Sequence, residues 1–582
     1  MSSTARVRTE SGSAQPLFAL YSLALAAVVF GPLFGPGCLL LRDAVSTPRS
    51  FLTDSALGLG DAAPRAVPQD ALLAVLSPVF GGCLVVKVIL LAALWLAGWG
   101  AARMVRIVLP SLGVGAALVA ATAASWNPYV AERLLQGHWS LLVGYAALPW
   151  TVSAAVRLRQ GSGWPAWSAL AVCLAAAALT PTGALLAGLV AVVTVGVRRI
   201  PAALTLTVLV SAPWLVATAL SGAGTESDPA GVTAFAARAE PGLGTIGSVA
   251  GLGGIWNADA VPGSRTGYFA LAGTIVLLVL VALGAPALWR RRTNPVIAAL
   301  AVLAVGAVAF AAVAATPAGL DTMRWGVDHV PGWGLARDTQ KWIALAMPGY
   351  VLAAAAGCAW LTRRAGNAVV PALVSILLLI AVLPDLAWGV SGAMRPVHYP
   401  ASWQTVAAAV NSADDDTDVA VLPGGMFRIF PWAGDAPVLD PAPRMLPRDV
   451  LQTGVLPVRG VAVAGEGNRA AEAEAALLDG AAPERLGELG VGWVLVERTS
   501  PGPLGDSART LAQLERVHID DELALYRVPD ASGEPADNRW VAALAHLLWV
   551  ATLAGGVAAL ACGALGGALG VVLGVVRRTD KA

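Results

Sequence analysis

Charged residues are scarce in this sequence, and lysine is the scarcest of them. Only 13% of the 582 residues are Asp, Glu, Lys or Arg, whereas a soluble globular protein carries about 25%. Hydrophobic residues make up 57% of the chain, and the mean hydropathy is +0.69. These proportions exclude an ordinary soluble enzyme and are typical of a protein that crosses a membrane many times.

Cysteine clusters, paired histidines and phosphate-binding loops are also lacking. The five cysteines all lie in or beside apolar segments, so we expect neither disulfides nor a metal cluster. The histidines at 329, 398, 518 and 546 show no spacing that suits a metal. The large polar region has no GxGxxG turn and no Walker loop, which gives no basis for a nucleotide site there. We expect no nucleic-acid partner.

Long hydrophobic runs are what the sequence has instead. A span needs about 20 mostly apolar residues, and the sequence offers twelve candidates. They centre near 16–40, 81–101, 107–125, 140–156, 165–180, 183–197, 202–220, 267–289, 296–315, 342–361, 368–391 and 540–575. Arg6 and Arg8 precede the first run, but no cleavage site followed by a soluble chain is seen, so we expect this run to stay as a span.

The charge pattern predicts the orientation of these spans. If the N-terminus is cytoplasmic and the spans alternate, every inner segment carries at least two basic residues and almost no acids. Both termini are then predicted to be cytoplasmic. The longer loops fall on the outer side of the plasma membrane: 42–80, 126–139, 221–266, 316–341 and 393–535.

The outer segment 393–535 differs from the rest because acids and prolines are frequent in it. Short apolar runs at 418–422, 491–497 and 523–528 indicate buried strands, and 468–478 indicates a helix. A further helix is predicted over 403–410. Strands that alternate with helices predict a small α/β domain.

The predicted fold class is therefore an all-α polytopic membrane protein with a small extracytoplasmic α/β domain. We expect about twelve transmembrane helices. The predicted parts are a transmembrane domain over 1–392, the α/β domain over 393–535 and a C-terminal transmembrane helix within 536–582.

The first outer loop opens with the pair Arg42-Asp43, directly after the first span. A carboxylate at the membrane surface can reach a substrate whose lipid tail stays in the bilayer. A general base must come within about 3 Å of the hydroxyl that it deprotonates. Asp43 is thus a candidate catalytic base, and Asp54 in the same loop is the alternative. The alternative is that Asp43 has no catalytic role and is simply a polar residue at the end of a span, paired with Arg42 or Arg49.

A second polar cluster lies in the short outer loop 126–139, WNPYVAERLLQGHW. Asn127 followed by proline predicts the start of a helix. Ionisable groups such as Glu132 and His138 are costly at this depth unless they have a role, and aromatic rings with carboxylates and amides suit sugar binding. The alternative is an interfacial aromatic belt, in which Trp139 is expected anyway.

Basic residues also cluster on the outer side, where topology does not demand them. Arg337 and Lys341 lie four residues apart in RDTQKW, and Arg324 precedes them. Arginine gives bidentate contact and lysine a point charge, which suits a phosphate held at the membrane surface. The alternative is local pairing with Asp338 and contact with lipid headgroups.

With these residues the chain resembles the GT-C-type glycosyltransferases, which are polytopic enzymes that use polyprenyl-phosphate-linked sugars. It is similar to the arabinofuranosyl- and mannosyltransferases of the actinobacterial cell envelope. The matching elements are Arg42-Asp43 after the first span, NPYVAERLLQGHW followed by GYAALPW at Gly144–Trp150, and RDTQKW before a late span. A soluble outer domain that follows most of the spans also matches.

The resemblance implies an inverting transfer of arabinofuranose or mannose from a polyprenyl-phosphate donor to a cell-envelope glycan or lipid. It implies an essential acid in the first outer loop, Asp43 or Asp54. It implies donor-phosphate contacts from Arg324, Arg337 and Lys341, and substrate contacts from Arg42, Glu132, Arg133, His138 and Trp139. Many members have two adjacent acids, whereas Ala44 follows Asp43 here. This departure argues against dependence on a divalent metal, which the resemblance would otherwise allow, and no metal ligand is assigned.

Two other classes of function stay open at this point. A lipid or glycolipid transporter or flippase would need ionisable sites near the bilayer midplane and an internal repeat, yet the midspans are nearly free of charge, with Lys87 as the main exception. A non-catalytic envelope-assembly scaffold is the other alternative. Convergence of Asp43, Glu132 and Arg337 on one outer site would favour the enzyme.

Overall fold

The computed structural model describes residues 14–60, 64–220, 228–458, 461–463, 465, 467–533 and 535–579. Within this part of the chain, eight helices are long and apolar enough to cross a membrane. Two further helices meet at a bend of 73° and would together make a ninth span. The eight are Gln15–Phe34, Gly82–Val108, Trp139–Arg159, Val197–Leu220, Phe269–Trp289, Pro295–Ala314, Thr339–Ala365 and Arg539–Gly563.

The chain is thus a helical membrane protein, while the number of twelve spans stays a prediction. The segments predicted near 165–180 and 183–197 form shorter apolar helices, Gly163–Ala177 and Pro181–Val195. The segment predicted at 107–125 contains a helix of 12 residues, Val114–Ser125.

The α-helices before the α/β part are α1 (Gln15–Phe30), α2 (Asp54–Leu57), α3 (Gln69–Phe80), α4 (Gly82–Val108), α5 (Val114–Ser125), α6 (Pro128–Gln136), α7 (Trp139–Arg159), α8 (Gly163–Ala177), α9 (Pro181–Val195), α10 (Ile200–Leu220), α11 (Ala230–Ala234), α12 (Gly244–Ala250), α13 (Phe269–Trp289), α14 (Pro295–Ala314), α15 (Pro317–His329), α16 (Met347–Ala365), α17 (Val369–Ala381) and α18 (Ala387–Ser391). Short 3₁₀ helices lie at Gly31–Phe34, Val197–Arg199, Ala258–Ala260, Gly263–Arg265, Trp333–Ala336, Thr339–Ala346 and Pro384–Leu386.

Two spans form the centre of the helical bundle. In their most apolar stretches, 89% of the residues of Thr339–Ala365 and 78% of those of Trp139–Arg159 are buried, against 28% for the peripheral Val197–Leu220. Helix α7 packs on α4, α8 and α9, and α16 packs on α13 and α5. Both central spans begin next to the polar segments that the sequence singles out, so these segments are held by the best-packed part of the bundle.

The strands are β1 (Cys38–Leu41), β2 (Ala44–Val45), β3 (Pro396–Val397), β4 (Asp418–Leu422), β5 (Phe427–Arg428), β6 (Val438–Leu439), β7 (Val450–Leu451), β8 (Leu456–Val458), β9 (Val461–Val463), β10 (Val491–Glu497), β11 (Glu515–Ile519) and β12 (Leu523–Arg527). The remaining α-helices are α19 (Ser402–Ser412), α20 (Ala442–Met445), α21 (Asn468–Leu478), α22 (Pro483–Glu488), α23 (Ala508–Leu511) and α24 (Arg539–Thr579). The strands predicted at 418–422, 491–497 and 523–528 and the helix at 468–478 are confirmed.

The main sheet of the α/β part has the order β11-β12-β10-β4-β7. Strands β10, β4 and β7 are parallel, and β12 and β11 add to this edge in antiparallel fashion. Successive side chains point to opposite faces, so Val419 and Val421 lie in a core with α19 whereas Ala420 and Leu422 lie in a core with α21 and α22.

The loop after α1 belongs to this α/β fold. Strand β1 pairs with β2 and also with β3. Cys38, Leu40 and Val45 share one hydrophobic core with Trp403 and Phe430 of the α/β part. The segment 393–535 therefore packs directly on the hairpin that carries Asp43, in addition to being connected to two spans.

A disulfide joins Cys38 to Cys83 across 45 residues of sequence, so the expectation of no disulfides is wrong. That expectation treated both cysteines as parts of apolar spans. Cys38 instead begins β1, and Cys83 lies in the first turn of α4. The bond ties the base of the Asp43 hairpin to the start of a span. Cys173, Cys358 and Cys562 are free.

Candidate active site

Asp43 lies at the tip of the β1–β2 hairpin, in a two-residue turn with Arg42. Arg42 has a φ of +48°, a left-handed conformation that costs a non-glycine residue about 1 kcal/mol or more. Its guanidinium donates to the carbonyls of Leu135 at 2.7 Å and Asp259 at 2.5 Å, and its own carbonyl accepts from the Leu439 amide at 2.9 Å. These bonds hold the turn in place.

The tip fits against the end of α6 because residue 137 is glycine. The Asp43 amide donates to the carbonyl of Gln136 at 3.1 Å. Gly137 has a φ of +86°, and a Cβ there would overlap the Ala44 nitrogen and lie 2.6 Å from the Leu41 oxygen. The close approach sets the position of the Asp43 carboxylate beside α6.

One oxygen of the Asp43 carboxylate carries two hydrogen bonds. Oδ2 accepts from Gln136 Nε2 at 3.2 Å and lies 2.9 Å from His138 Nε2. No hydrogen bond from the described residues reaches Oδ1, and the side chain is 28% exposed. Burial alone would raise the pKa of Asp43, but the hydrogen bonds from His138 and Gln136, together with the positive charge of Lys341, lower the pKa below its usual value. Asp43 is therefore ionised at neutral pH.

His138 is held as a single neutral tautomer. Its Nδ1 lies 3.0 Å from Arg133 Nη1, and a guanidinium can only donate, so the ring proton must be on Nε2. Nε2 then donates to Asp43. Burial lowers the pKa of His138, and the charges of Lys341 and Arg133 lower the pKa further against the opposing effect of Asp43. His138 thus orients the carboxylate without adding a positive charge.

Arg133 is fully buried behind His138. It donates to both oxygens of Asp338, at 2.9 and 3.2 Å, and to Gln340 Oε1. Burial alone would raise the pKa of Asp338, but Arg133 and Lys341 lower this pKa to about 2. Lys341 Nζ lies 3.8 Å from Asp338 Oδ2, and its side chain is 27% exposed. The bidentate pair joins α6 to the start of the central span.

Glu132 is the buried neighbour of Arg133. It accepts from the amides of Gly254 at 3.0 Å and Ile255 at 3.1 Å and from Gln340 Nε2 at 2.9 Å. Burial and the charge of Glu240 raise the pKa of Glu132 to about 8, against the lowering effect of nearby arginines and of the Ile255 amide. Glu132 therefore fastens the loop before α13 to α6.

That loop also orients Gln136. Asn257 Nδ2 donates to Gln136 Oε1 at 2.8 Å, which leaves the Gln136 amide nitrogen to donate to Asp43. A buried ion pair of Arg265 with Glu240 holds the same loop together. Gln136 and His138 are thus each oriented by a hydrogen bond on the side away from Asp43. Asn257 determines which atom of Gln136 faces Asp43, and Arg133 does the same for His138.

Five of the residues predicted from the sequence meet in this cluster: Asp43, Glu132, Arg133, His138 and Lys341. Arg42 anchors the hairpin beside it. One chain of hydrogen bonds runs from Asp43 through His138, Arg133 and Gln340 to Glu132. Asp43 and Glu132 thus share one network.

Of the other predicted residues, Arg337 lies near the Lys341 end of this cluster, and Arg324 and Trp139 lie away from it. The Arg337 guanidinium stacks on the Phe235 ring, with 4.7 Å to the ring centroid. It also lies close enough to Lys341 for the two positive charges to repel each other. Arg324 pairs with Asp321 at 2.8 Å on the surface. Trp139 is buried in the main core.

Asp54 lies at the start of α2, away from the hairpin tip. It pairs with Arg539 at the start of α24 and accepts from the Ala536 amide at 3.0 Å. No contact among the described residues joins it to the Asp43 network. In this structure Asp54 holds the C-terminal helix to the first loop.

Several residues of the site were not predicted: Gln136, Gly137, Asp338, Gln340 and the backbone at 253–257. Asp338 stands between the two cations of RDTQKW and was interpreted only as their local partner. A carboxylate next to the start of a span, with an arginine in another outer loop, is the signal that could have found the Arg133–Asp338 pair.

The residues around Asp43 offer little for a metal. The described part of the chain holds no group of three or more His, Cys, Asp and Glu side chains that could bind a metal ion. Asp43 has one imidazole as its neighbour, and Ala44 stands where a second acid would be.

Comparison with known proteins finds solved structures with a similar fold. No family model matches the sequence, and no curated protein matches it either. A cryo-EM structure of the arabinofuranosyltransferase AftD from mycobacteria matches 90% of this chain with a TM-score of 0.55 and 18% identity. Two structures of an AftD mutant match with TM-scores of 0.53 and 0.51 at 17% and 16% identity. This chain covers 40% to 42% of the AftD chains. The likeness shows that this chain shares the fold of the matching part of AftD.

Proposed function

We propose that this chain is a membrane glycosyltransferase in which Asp43 is the catalytic base. The observation that supports the proposal is the Asp43 carboxylate itself. It is ionised, one oxygen is held by His138 and Gln136, and the other has no hydrogen bond from the described residues. A general base needs a charge, a fixed orientation and an open lone pair. The likeness of the fold to AftD supports the reaction class.

In the proposed reaction, an acceptor hydroxyl approaches Asp43 Oδ1 and its oxygen attacks the anomeric carbon of the donor sugar. The proton passes to Asp43 as the new C–O bond forms. The bond between the anomeric carbon and the phosphate oxygen breaks, and the phosphate leaves with the electron pair, so the anomeric configuration inverts. Lys341 stabilises the negative charge that develops on the phosphate, with Arg337 and Arg324 as its proposed partners.

The proposed donor is polyprenyl-phosphate arabinofuranose or mannose, and the proposed acceptor is a cell-envelope glycan or glycolipid. We place the site on the extracytoplasmic face of the plasma membrane, with both termini in the cytoplasm. The distribution of arginines supports this orientation. The Cys38–Cys83 disulfide at the base of the hairpin also supports it, because disulfides persist in oxidising compartments.

The test is sugar incorporation by membranes that contain the wild type, Asp43→Asn or Asp54→Asn. The membranes receive radiolabelled polyprenyl-phosphate arabinose or mannose. We expect Asp43→Asn to lose transfer by about 100-fold or more and Asp54→Asn to retain it. Transfer at the wild-type rate by folded Asp43→Asn would remove Asp43 from the role, and loss in Asp54→Asn alone would move the base to Asp54.

A further inference from the structure

A cavity of about 720 Å³ lies at the start of α4, apart from the Asp43 carboxylate. The end of α1, the first turns of α4 and strand β3 line it. Three of its apolar wall residues, Phe34, Leu84 and Val88, are more than half exposed. Because these residues lie on membrane-spanning segments, the cavity opens on the lipid-facing surface of the bundle.

Lys87 is the one lysine or arginine among the residues that line the cavity, and no aspartate or glutamate is among them. It is only 7% exposed and donates to the carbonyl of Gly35 at 2.7 Å. An ammonium group has three donors, and no carboxylate of the described chain lies within ion-pair distance of it. Lys87 follows Cys83 by four residues, about 6 Å into the bundle along the helix. An unneutralised cation inside an apolar span is costly, so it indicates a ligand.

The remaining polar groups of the cavity lie on the side of the α/β part. His398 and Gln404 are exposed there, and the Tyr399 hydroxyl donates to the carbonyl of Ser46 at 3.1 Å. The cavity thus combines an apolar wall open to lipid, one buried cation and a polar rim. An amphiphile with an apolar tail, one negative charge and a polar headgroup beyond that charge would match these three parts of the cavity.

We propose that this cavity is a binding site for an anionic phospholipid, whose phosphate pairs with Lys87. The acyl chains run along the exposed apolar surface of α1 and α4, and the headgroup meets the rim formed by His398 and Gln404. Charge complementarity and the lipid-facing opening both select a membrane lipid over a soluble anion, because a soluble anion would leave the apolar wall uncovered.

This site is separate from the proposed transfer site, and the inference does not depend on glycosyl transfer. Cys38 lies in the cavity wall, and the length of β1, about 10 Å of extended chain, separates it from the turn that carries Asp43.

The experiment titrates phosphatidylglycerol into the purified full-length protein in detergent and counts bound lipids by native mass spectrometry. We expect one tightly bound lipid on the wild type and on Lys87→Arg. Lys87→Met should bind it about tenfold more weakly or worse, because a charge-assisted hydrogen bond is lost. Arg103→Met removes a charge from the other end of the same helix and should bind like the wild type.

A second variant, Val88→Trp, fills the opening and keeps Lys87, so it should lose the lipid as well. Folding of each variant is checked by thermal unfolding and by the presence of the Cys38–Cys83 bond. If Lys87→Met fails to fold, Val88→Trp alone tests the proposal. Wild-type affinity in folded Lys87→Met or in Val88→Trp overturns the proposal. Displacement of the lipid by inorganic phosphate at equal concentration would overturn the choice of a lipid as the ligand.

Discussion

The membrane part and the α/β part each contain a fully buried arginine that bridges carboxylates to other groups of its cluster, Arg133 in the first and Arg428 in the second. In the α/β part this arginine is Arg428, which pairs with Asp440 at 2.9 Å and with Glu497. All three residues are buried. Burial and the charge of Asp440 raise the pKa of Glu497 well above its usual value, against the opposing effect of Arg428. This cluster is closed to the surface.

The corresponding arginine beneath the hairpin is Arg133, and its cluster is open at one end. Arg133 pairs with Asp338 at 2.9 Å, the same distance as that from Arg428 to Asp440. Its guanidinium also binds His138, which is 15% exposed and bonded to Asp43. A buried ion pair is weak evidence for stability on its own. The difference between the clusters is that only the Arg133 cluster controls the orientation of an exposed group.

The matched variants Arg133→Met and Arg428→Met test this difference most strongly. Each leaves buried carboxylates without their partner, so each should lower the free energy of unfolding by about 3–5 kcal/mol. Only Arg133→Met should also lower the transfer rate per folded molecule, by about 100-fold, because His138 loses the bond that fixes its tautomer. The measurement is the transfer rate of each variant, normalised to the amount of folded protein. Equal losses of rate in the two variants would show that the Arg133 cluster has no special role in transfer.

His138 offers a sharper test of the same end of the network. Leucine removes the bond to Asp43 and should lower the transfer rate about 10- to 100-fold. Glutamine can accept from Arg133 and donate to Asp43, as the neutral tautomer does, and should stay within a few-fold of the wild type. His518→Gln, in the α/β sheet, is the control. A glutamine variant as inactive as the leucine variant would mean that His138 itself transfers protons.

The approach of the hairpin to α6 can be tested with two glycines. Gly137 and Gly366 both have positive φ, but only Gly137 faces another segment, since nothing lies within 4 Å of a Cβ at Gly366. The positive φ alone should make alanine cost about 1 kcal/mol of stability at either position, and the overlap with Ala44 adds to this cost at Gly137. Only Gly137→Ala should also reduce transfer, by about tenfold, because the Asp43 tip must move. An unchanged transfer rate in Gly137→Ala would show that transfer does not depend on this position of the Asp43 tip.

The smallest expected effect concerns the buried end of the network. The raised pKa of Glu132, about 8, means that the folded state holds a proton that the unfolded state has released above pH 4.5. The free energy of unfolding should therefore fall as pH rises, by about 1 kcal/mol between pH 7 and pH 8. Glu132→Gln should reduce this slope, measured by denaturant unfolding, whereas the surface variant Glu484→Gln should not. An unchanged slope would argue that Glu132 is ionised throughout.

Local pattern was enough to predict much of the fold. The strand at 491–497 and the helix at 468–478 follow from runs of apolar residues and from composition. The predicted end of the first span was too late, because Leu39, Leu40 and Leu41 do not face lipid. Leu40 packs in the core of the α/β part, whereas Leu39 and Leu41 pack in the core of the helical bundle. The same misjudgement hid the Cys38–Cys83 bond.

The site was only partly predictable for a different reason. Residues near a span end, such as Asp43 and His138, are visible as polar groups in apolar surroundings. Arg133 and Asp338 lie 205 residues apart, and no local pattern records which loops meet. The tautomer of His138 depends on that meeting, so it could come only from the structure.

The position of a bound donor would show whether Asp43 is placed to act as the catalytic base. A cryo-EM structure with a polyprenyl phosphonate analogue of the donor sugar would supply it. We expect the phosphonate to lie within hydrogen-bond distance of Lys341 and the anomeric carbon to face the space beside Asp43 Oδ1. A sugar bound beside Asp54, or with no substrate atom near Asp43, would contradict it.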